Sequence, residues 1–179
     1  MLRLARIAEA PALAEMSREL IEAGLAWRYT PRRLAALMGE RDVLVVVMDQ
    51  ADDEVGGETG SGAGSGPGRE AGSPQGFAVM QFGDERAHLV LLCVHAQQQR
   101  LGLGRALHDW LLKSAQVAGM ASIALELRAD NSTAMAFYRS LGYREVDTVA
   151  GYYDGRIAAR RMLRHLREGL ASARGETPR

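Results

Sequence analysis

The hydrophobic and polar positions of the first fifty residues follow two periods, one typical of helices and one typical of strands. A weak alternation over residues 2–7 predicts a first strand, and apolar residues at helical spacing predict a helix over residues 11–23. Thr30 followed by Pro31 predicts an N-cap and a helix that runs to Met38. The unbroken apolar and largely β-branched run over residues 43–48 predicts a strand that is buried on both faces.

The second half of the chain is more regular. Strands are predicted at residues 77–82 and 88–94, joined by a turn at Gly83-Asp84, and then at 123–127, 143–149 and 157–163. Helices are predicted at residues 103–118, closed by Gly119, and from the cap Asn131 to Gly142. The resulting order, βααβββαβαββ, predicts an α/β fold around a mixed sheet.

Two segments lack this periodicity. Residues 51–76 are rich in Gly, Ser, Glu and Asp, and their one large aliphatic residue is Val55, so they cannot bury enough apolar surface to become ordered. We expect them to form a flexible hairpin loop inside a single domain of residues 1–165. Residues 156–179 hold seven arginines and two glutamates, and we expect 166–179 to be a basic, disordered tail. A tail that binds an acidic or nucleoprotein partner is the alternative.

Composition limits the compartment and the ligands. The 179 residues include 22 basic and 22 acidic ones, and this zero net charge gives no support to nucleic-acid binding. The single cysteine, Cys93, excludes an internal disulfide and a multi-cysteine metal site. Charged residues interrupt the N-terminus and no apolar stretch is long enough to span a membrane, so we expect a cytoplasmic protein. Lys113 is the one lysine among many arginines, which favours a GC-rich bacterial source.

The segment Gln99-Arg100-Leu101-Gly102-Leu103-Gly104 lies between a buried strand and a predicted helix. The first turn of a helix presents free N–H groups, glycines let the backbone approach a ligand, and an arginine adds a charge-assisted contact. The segment therefore predicts a phosphorylated ligand, and a glycine-softened helix start without a ligand is the alternative. An NTPase loop needs Gly-Lys-Ser/Thr where this chain has Gly104-Arg105-Ala106, and a dinucleotide loop needs a glycine in place of Leu107.

The pattern Gln99-x-x-Gly102-x-Gly104 at a helix start resembles the acyl-CoA pyrophosphate motif of the GNAT superfamily of N-acetyltransferases. The residues after it are similar to the branch of ribosomal-protein alanine N-acetyltransferases, namely Leu125-Glu126-Leu127-Arg128-Ala129-Asp130-Asn131, Ala134, Phe137-Tyr138, Leu141-Gly142-Tyr143 and Tyr152-Tyr153. The resemblance covers residues 88–162. It implies the GNAT fold, with a mixed, mostly antiparallel sheet of about seven strands flanked by about four helices.

The resemblance also implies how the site works. Acetyl-CoA would be the cosubstrate, and a primary amine on a small molecule or a peptide would attack its acetyl group directly. The pyrophosphate would be held by Gln99, Arg100, Leu101, Gly102, Leu103, Gly104 and Arg105. Exposed backbone near Cys93 and Val94 would pair with the pantetheine arm, with Asn131 and Ala134 beside it.

Tyr138 and Glu126 are the catalytic residues that the resemblance implies. Tyr138 would protonate the departing thiolate, since a phenol with a pKa of about 10 can protonate a thiolate with a pKa of about 8.5 at modest cost. Glu126 would be the general base, and an equal alternative is a salt bridge to Arg128 or Arg144. Deprotonation at pH 7 costs about 1 kcal/mol for a peptide α-amine and about 4.6 kcal/mol for lysine, so a weakly placed base favours an α-amine or another amine of low pKa. The Cys93 thiol is expected to be buried and inert.

The chain departs from the ribosomal branch in its last strand, and this limits which properties of that branch can be expected here. Ile157 and Ala158 stand where the ribosomal branch has an acidic pair in the last strand, so the reaction class transfers to this chain but the ribosomal substrate does not. Trp27, Arg28 and Tyr29 fall where this fold usually contacts the acceptor, or they pack as a helix linker. A non-catalytic acyl-CoA-binding or regulatory module and a nucleotide-binding α/β protein are the alternative functions. The sequence leaves a homodimer open.

Overall fold

The computed structural model describes residues 1–49 and 74–166. Most of the predicted hairpin loop and nearly all of the predicted tail lie outside these residues. The strands are β1 (Leu2–Leu4), β2 (Val43–Asp49), β3 (Pro74–Phe82), β4 (Arg86–Val94), β5 (Ser122–Arg128), β6 (Arg144–Tyr153) and β7 (Ile157–His165). The helices are α1 (Ala10–Leu20), α2 (Pro31–Met38), α3 (Leu103–Val117) and α4 (Ser132–Ser140), with 3-10 turns at Ile7–Glu9 and Ala96–Gln98. The predicted order of elements is confirmed.

The strands form one seven-stranded sheet in the order β1-β2-β3-β4-β5-β7-β6. Neighbouring strands are antiparallel except for β4 and β5, which are parallel, so the predicted mixed and mostly antiparallel sheet is confirmed. One face of the sheet packs against α3 and α4 through Leu107, Leu111 and Leu141. The opposite face packs against α1 and α2 through Leu13 and Leu34.

A β-bulge in β4 changes the direction of its side chains. Val79 of β3 pairs with Leu91 and Met80 pairs with Leu89, so Val90 is an extra residue in β4. Before the bulge, Leu89 lies in the core under α3 and α4. After it, Leu91 and Cys93 lie in the core under α1 and α2, although strict alternation would put all three on one face.

The predicted helix ends that depend on capping residues and glycines are confirmed. The Thr30 hydroxyl accepts a hydrogen bond from the Arg33 N–H at 3.4 Å, and α2 begins at Pro31 as predicted. Helix α3 is followed by Gly119 with φ +75°, and α4 is followed by Gly142 with φ +85°. Glycine adopts this left-handed backbone without steric cost, which explains both ends.

Several predicted boundaries were wrong. Strand β1 ends at Leu4 because a 3-10 turn begins at Ile7, where the Glu9 carboxylate accepts a hydrogen bond from the Arg6 N–H at 2.7 Å. Helix α1 ends at Leu20 and not at residue 23, and Gly24 then has φ +77°. Residues 74–76 belong to β3 and not to the hairpin loop.

Leu166, the first residue of the predicted tail, contacts the domain. The Leu166 N–H donates to the Ala121 carbonyl oxygen at 2.9 Å, and its side chain packs against the core. Within residues 1–49 and 74–166, no helix is long and apolar enough to cross a lipid bilayer.

Candidate active site

Strands β4 and β5 separate in the middle of the sheet. Their parallel pairing joins Arg86, Ala87 and His88 to Ser122, Ile123 and Ala124, and it goes no further. Beyond this point β4 continues to Val94 paired with β3, and β5 continues to Arg128 paired with β7. The facing edges of 89–94 and 125–128 therefore bound a wedge-shaped opening, which we call the β4–β5 gap. Backbone groups along these edges can pair with an inserted chain, as an added strand would.

The predicted phosphate loop lies at the wide end of this gap. It leads from β4 into α3, and its backbone is left-handed at Arg100 (φ 67°) and at Gly102 (φ +85°). The first hydrogen bond of the helix runs from the Ala106 N–H to the Gly102 carbonyl oxygen at 3.0 Å. The amides of residues 103–105 therefore precede the helical bonding pattern and can accept an anion.

The side chains of the loop have different surroundings. Gln99 donates through Nε2 to the Val94 carbonyl oxygen at 3.1 Å, which fastens the loop to the end of β4. Leu101 is exposed. Arg105 donates through its guanidinium to the Ser140 hydroxyl at 3.4 Å, so its side chain lies along α4. Leu103 packs partly buried against the core.

Asn131 follows β5, the strand that forms the other wall of the gap, and precedes α4. Its Oδ1 accepts a hydrogen bond from the Ala134 N–H at 2.9 Å and caps α4. An asparagine amide has two N–H donors as well as this acceptor, so capping leaves the donors available to a ligand. The two residues predicted to lie beside the pantetheine arm, Asn131 and Ala134, are therefore neighbours joined by a hydrogen bond.

Tyr138 of α4 is buried, and its ring meets the rings of Phe137 and Tyr143 edge to face at centroid distances of 5.2 and 5.6 Å. Burial raises the pKa of Tyr138, and the neighbouring Cys93 and Tyr153 raise it further. The phenol therefore keeps its proton and lies near the β4 edge of the gap. Cys93 is itself buried, and burial raises the pKa of its thiol well above the usual range, as expected for an inert side chain.

Two side chains contact the carboxylate of Glu126 in β5, and they are not the partners that the sequence suggested. His88 Nε2 lies 2.9 Å from Glu126 Oε2, and Arg161 Nε lies 3.3 Å from Oε1. The hydrogen bond from His88 lowers the pKa of Glu126, burial opposes this, and the Arg161 charge lowers it further. Arg128, one of the two predicted partners, instead pairs with Asp130 at 2.9 Å.

The side of the sheet that carries Glu126 also carries the loop between α1 and α2. The carboxylate of buried Glu22 accepts hydrogen bonds from the Ser17 hydroxyl and from the Arg28 N–H and Tyr29 N–H, at 3.2, 2.6 and 3.3 Å. This carboxylate therefore holds the backbone of the loop at Arg28 and Tyr29. Trp27, a second predicted acceptor residue, packs under the Arg18 guanidinium at 4.8 Å.

The hairpin between β6 and β7 faces this loop. The Asp154 carboxylate accepts a hydrogen bond from the Ala26 N–H at 2.9 Å, which joins the hairpin to the loop. Burial, Tyr152 and Glu126 together raise the pKa of Tyr153 to about 12. Between hairpin and loop lies a depression of about 310 Å³, lined by 24–26 and by 153, 154, 156 and 157. Tyr153, whose pKa Glu126 helps to raise, is one of the residues that line it.

A family model described as an acetyltransferase (GNAT) domain matches residues 69–162, which contain the gap, the loop and the residues around Glu126. The chain belongs to the GNAT acetyltransferase family. The predicted family is confirmed. Members of this family use acetyl-CoA, and this GNAT protein has the features to hold it, namely an anion-accepting loop at the wide end of a gap with open strand edges.

Relatives of known activity match part of the chain. The [ribosomal protein bS18]-alanine N-acetyltransferase of Escherichia coli strain K12 is 40% identical over 88 residues, which are 48% of this chain and 60% of that enzyme. An N-alpha-acetyltransferase of Sulfurisphaera tokodaii is 37% identical over 76 residues, which are 41% of this chain and 46% of that enzyme. The aligned part thus spans less than two thirds of either relative.

Solved structures match nearly the whole chain. The E. coli ribosomal-protein-S18-alanine N-acetyltransferase has a TM-score of 0.73 at 24% identity and covers 96% of this chain and 97% of its own. The PaiA N-acetyltransferase of Thermoplasma acidophilum, in complex with coenzyme A, has a TM-score of 0.68 at 19% identity, with 92% and 98% covered. At these identities the likeness supports the fold, which is the predicted GNAT fold.

Four polar residues of the site have no role in the sequence-based prediction: His88, Arg161, Glu22 and Asp154. They come from four separate parts of the chain, and they contact Glu126 or the loop between α1 and α2 through strand pairing and loop packing. Only Asp154 had a local signal, because it follows Tyr152-Tyr153 and precedes a glycine in a hairpin turn.

Proposed function

We propose that this protein transfers the acetyl group of acetyl-CoA to a primary amine, with the α-amine of a peptide as the favoured acceptor. The observation that carries the proposal is the convergence at the β4–β5 gap of an anion-accepting loop, a buried protonated tyrosine and a held carboxylate. A transferase needs these three elements to bind a phosphorylated cosubstrate, protonate a leaving group and handle the proton of the nucleophile.

The proposed cosubstrate site uses both walls of the gap. Loop amides and Arg100 bind the pyrophosphate, and the open edge of β4 near Cys93 and Val94 pairs with the pantetheine arm. The Asn131 amide N–H groups, which capping leaves available, donate to the same arm. Acetyl-CoA supplies the thioester, whose acetyl carbon is the electrophile.

The proposed acid is Tyr138. A tyrosine is protonated at neutral pH, and burial keeps Tyr138 so, which leaves the phenol a proton to give to the departing thiolate. Edge-to-face packing against Phe137 and Tyr143 fixes the ring and limits the entropy lost on reaching the reactive geometry. Proton removal from the amine is assigned to Glu126 together with the groups that hold it.

An α-amine suits this site better than lysine. His88 and Arg161 lower the pKa of Glu126, so the carboxylate is a weak proton acceptor. A weak acceptor needs an amine that is partly neutral near pH 7, and an α-amine with a pKa of about 7.8 meets this requirement. The depression between the α1–α2 loop and the β6–β7 hairpin supports entry of the acceptor on the Tyr153 side.

The names of the relatives are compatible with this acceptor, since one is an alanine N-acetyltransferase that acts on a ribosomal protein and the other is an N-alpha-acetyltransferase. We do not extend the ribosomal substrate to this chain, because Ile157 and Ala158 replace the acidic pair of that branch. The identity of the acceptor therefore stays a prediction. The homodimer and the cytoplasmic location suggested by the sequence are predictions as well.

A peptide panel tests the proposal. Peptides with a free α-amine, the same peptides with a blocked N-terminus and one lysine, and simple amines are incubated with acetyl-CoA, and thiol release and product mass are measured. We expect turnover on the free α-amine and none on the blocked peptide. Acetyl-CoA binding without turnover of any amine would support the alternative of a non-catalytic acyl-CoA-binding module.

A further inference from the structure

In the function proposed above, His88 is only one of the groups that hold Glu126, although it contacts the Glu126 carboxylate directly. Its side chain is 41% exposed, whereas that of Glu126 is 14% exposed, and their nearest atoms are 2.9 Å apart. By strand alternation His88, Glu126 and Arg161 all lie on the sheet face opposite Leu125 and Met162. This is the face that carries the α1–α2 loop.

The contact fixes which nitrogen of His88 carries a hydrogen. The lowered pKa of Glu126 keeps its carboxylate ionised at neutral pH, and an ionised carboxylate can only accept hydrogen bonds. His88 Nε2 must therefore be the donor in the 2.9 Å contact. In the neutral ring this leaves the lone pair on Nδ1, and the exposure of the side chain makes it accessible to water or an amine.

Glu126 is poorly arranged to take a proton itself. Oε2 accepts from His88, and Oε1 lies 3.3 Å from the Arg161 guanidinium. A proton on the Glu126 carboxylate would face the N–H donors of His88 and Arg161. It would also remove the negative charge that Arg161 stabilises. An imidazole changes its charge between about pH 5 and 8, which matches the range in which a general base is most effective.

We propose that His88 is the proton acceptor of the acetyl transfer, acting through Nδ1 directly or through one water, and that Glu126 is its positioning residue. This inference rests on the proposed function. Arg161 extends the arrangement by holding the second oxygen of Glu126. The result is a histidine oriented by a carboxylate, which is in turn oriented by an arginine.

The reaction balances with these groups. The neutral amine nitrogen attacks the acetyl carbonyl carbon and forms the C–N bond, and His88 Nδ1 accepts one proton from that nitrogen. The C–S bond then breaks with its electron pair going to sulfur, and Tyr138 donates its proton to the thiolate. His88 releases a proton to solvent and Tyr138 takes one up, so the products are the amide and the free thiol.

The elements around His88 carry other charged and titratable groups. Gln81 pairs opposite His88 on β3 and donates to Asp42 at 3.3 Å. Arg86 lies two residues earlier on β4 and is exposed. Beyond Glu126, the groups are Arg161 of β7, Asp147 of β6 at 3.4 Å from Arg161, and Tyr153 of β6. Among the described residues, Glu126 is thus the charged group that directly contacts the ring.

The ratio of kcat/KM for the wild type to that for His88→Gln tests the inference, measured with one α-amine peptide from about pH 5 to 8. The titration of the amine is the same for both enzymes and cancels. We expect a high ratio at pH 8 that falls by about tenfold per pH unit once the imidazole is protonated. A ratio that is constant across this range would overturn the inference. Arg86→Gln is the matched control, and its rate should follow the wild type at every pH.

Nitrogen NMR of the His88 ring is a second readout that needs no turnover. We expect the Nε2–H tautomer in the wild type and a mixture of tautomers in Glu126→Gln. A wild-type ring that carries its hydrogen on Nδ1 would overturn the assignment. If the enzyme acetylates an amine with a pH-independent ratio, only the role of His88 fails. If it binds acetyl-CoA and acetylates no amine, the proposed function fails and the role of His88 with it.

Discussion

Gly76 of β3 and Cys93 of β4 lie so close that a Cβ atom at residue 76 would come within 2.9 Å of the Cys93 carbonyl oxygen. The same atom would lie 3.2 Å from the side chains of Leu107 and Val94. Residues 93 and 94 end the strand that forms one wall of the β4–β5 gap. The absence of a side chain at Gly76 therefore allows the end of β4 to lie this close to β3.

The substitution Gly76→Ala is expected to destabilise the protein by about 1–3 kcal/mol, because a backbone oxygen cannot move aside as a flexible side chain can. Its affinity for acetyl-CoA should also fall, since the end of β4 must shift. Urea unfolding and calorimetric titration measure the two effects. The matched control is Gly39→Ala, where the added atom would lie 3.4 Å from the Ala36 carbonyl oxygen, an ordinary contact. Equal stability of the two variants would contradict this account of the wall.

Two substitutions separate the helix-capping role of Asn131 from the binding role proposed for it. Asn131→Asp keeps an oxygen for the Ala134 N–H but loses the amide donors, so stability should hold while the KM for acetyl-CoA rises by about three- to tenfold. Asn131→Ala loses both, and should also lose about 1 kcal/mol of stability with the helix cap. An Asn131→Asp enzyme with the wild-type KM would restrict Asn131 to capping.

Tyr138→Phe should lower kcat by about a hundredfold or more with little change in the KM for acetyl-CoA, because only proton donation is lost. The ring packing against Phe137 and Tyr143 is kept, so thermal stability should change little. Steady-state kinetics and thermal unfolding of the same preparation check both statements. An unchanged kcat would remove Tyr138 from the role of acid.

His108 predicts a pH dependence of stability. Its ring is fully buried with Nε2 3.1 Å from the Tyr143 hydroxyl, and burial lowers the pKa of His108 in the folded protein. The unfolded chain then binds more protons below about pH 6.5, so the free energy of unfolding falls as the pH drops through this range.

Urea unfolding at pH 7.5 and at pH 5.5 measures this loss in the wild type and in His108→Gln. The variant lacks the titrating ring, so its loss between the two pH values should be smaller. The contributions of all other groups are the same in both proteins and cancel in the comparison. An equal loss in the two proteins would show that His108 is not responsible.

The parts of the fold predicted correctly from the sequence are those set by local chemistry. The cap at Thr30, the stops at Gly119 and Gly142, and the helix that begins after Gly102 each depend on a few adjacent residues. The position of the loop at the start of α3 belongs to this group as well, and its binding of a phosphate stays a prediction.

The residues that were missed are set by contacts between distant parts of the chain. His88 and Arg161 reach Glu126 because β5 lies between β4 and β7, and neither spacing nor composition predicts this strand order. The bulge at Val90, which ends the alternation of β4, has no signal in the sequence, where residues 89–94 read as one apolar run. The early end of α1 likewise coincides with a loop held by the buried carboxylate of Glu22.

The central claim is that acetyl-CoA binds at the loop that begins α3. A Cβ atom at Gly104 would lie 3.5 Å from the Phe137 ring and 3.7 Å from Leu92 and Val94, so a methyl group fits there. A glutamate would add bulk and negative charge beside the amides that are to hold a pyrophosphate.

Calorimetric titration with acetyl-CoA of the wild type, Gly104→Ala and Gly104→Glu is therefore the most direct test. We expect micromolar binding by the wild type, similar binding by Gly104→Ala, and none by Gly104→Glu. No binding by the wild type at millimolar acetyl-CoA, or equal binding by Gly104→Glu, would contradict the claim.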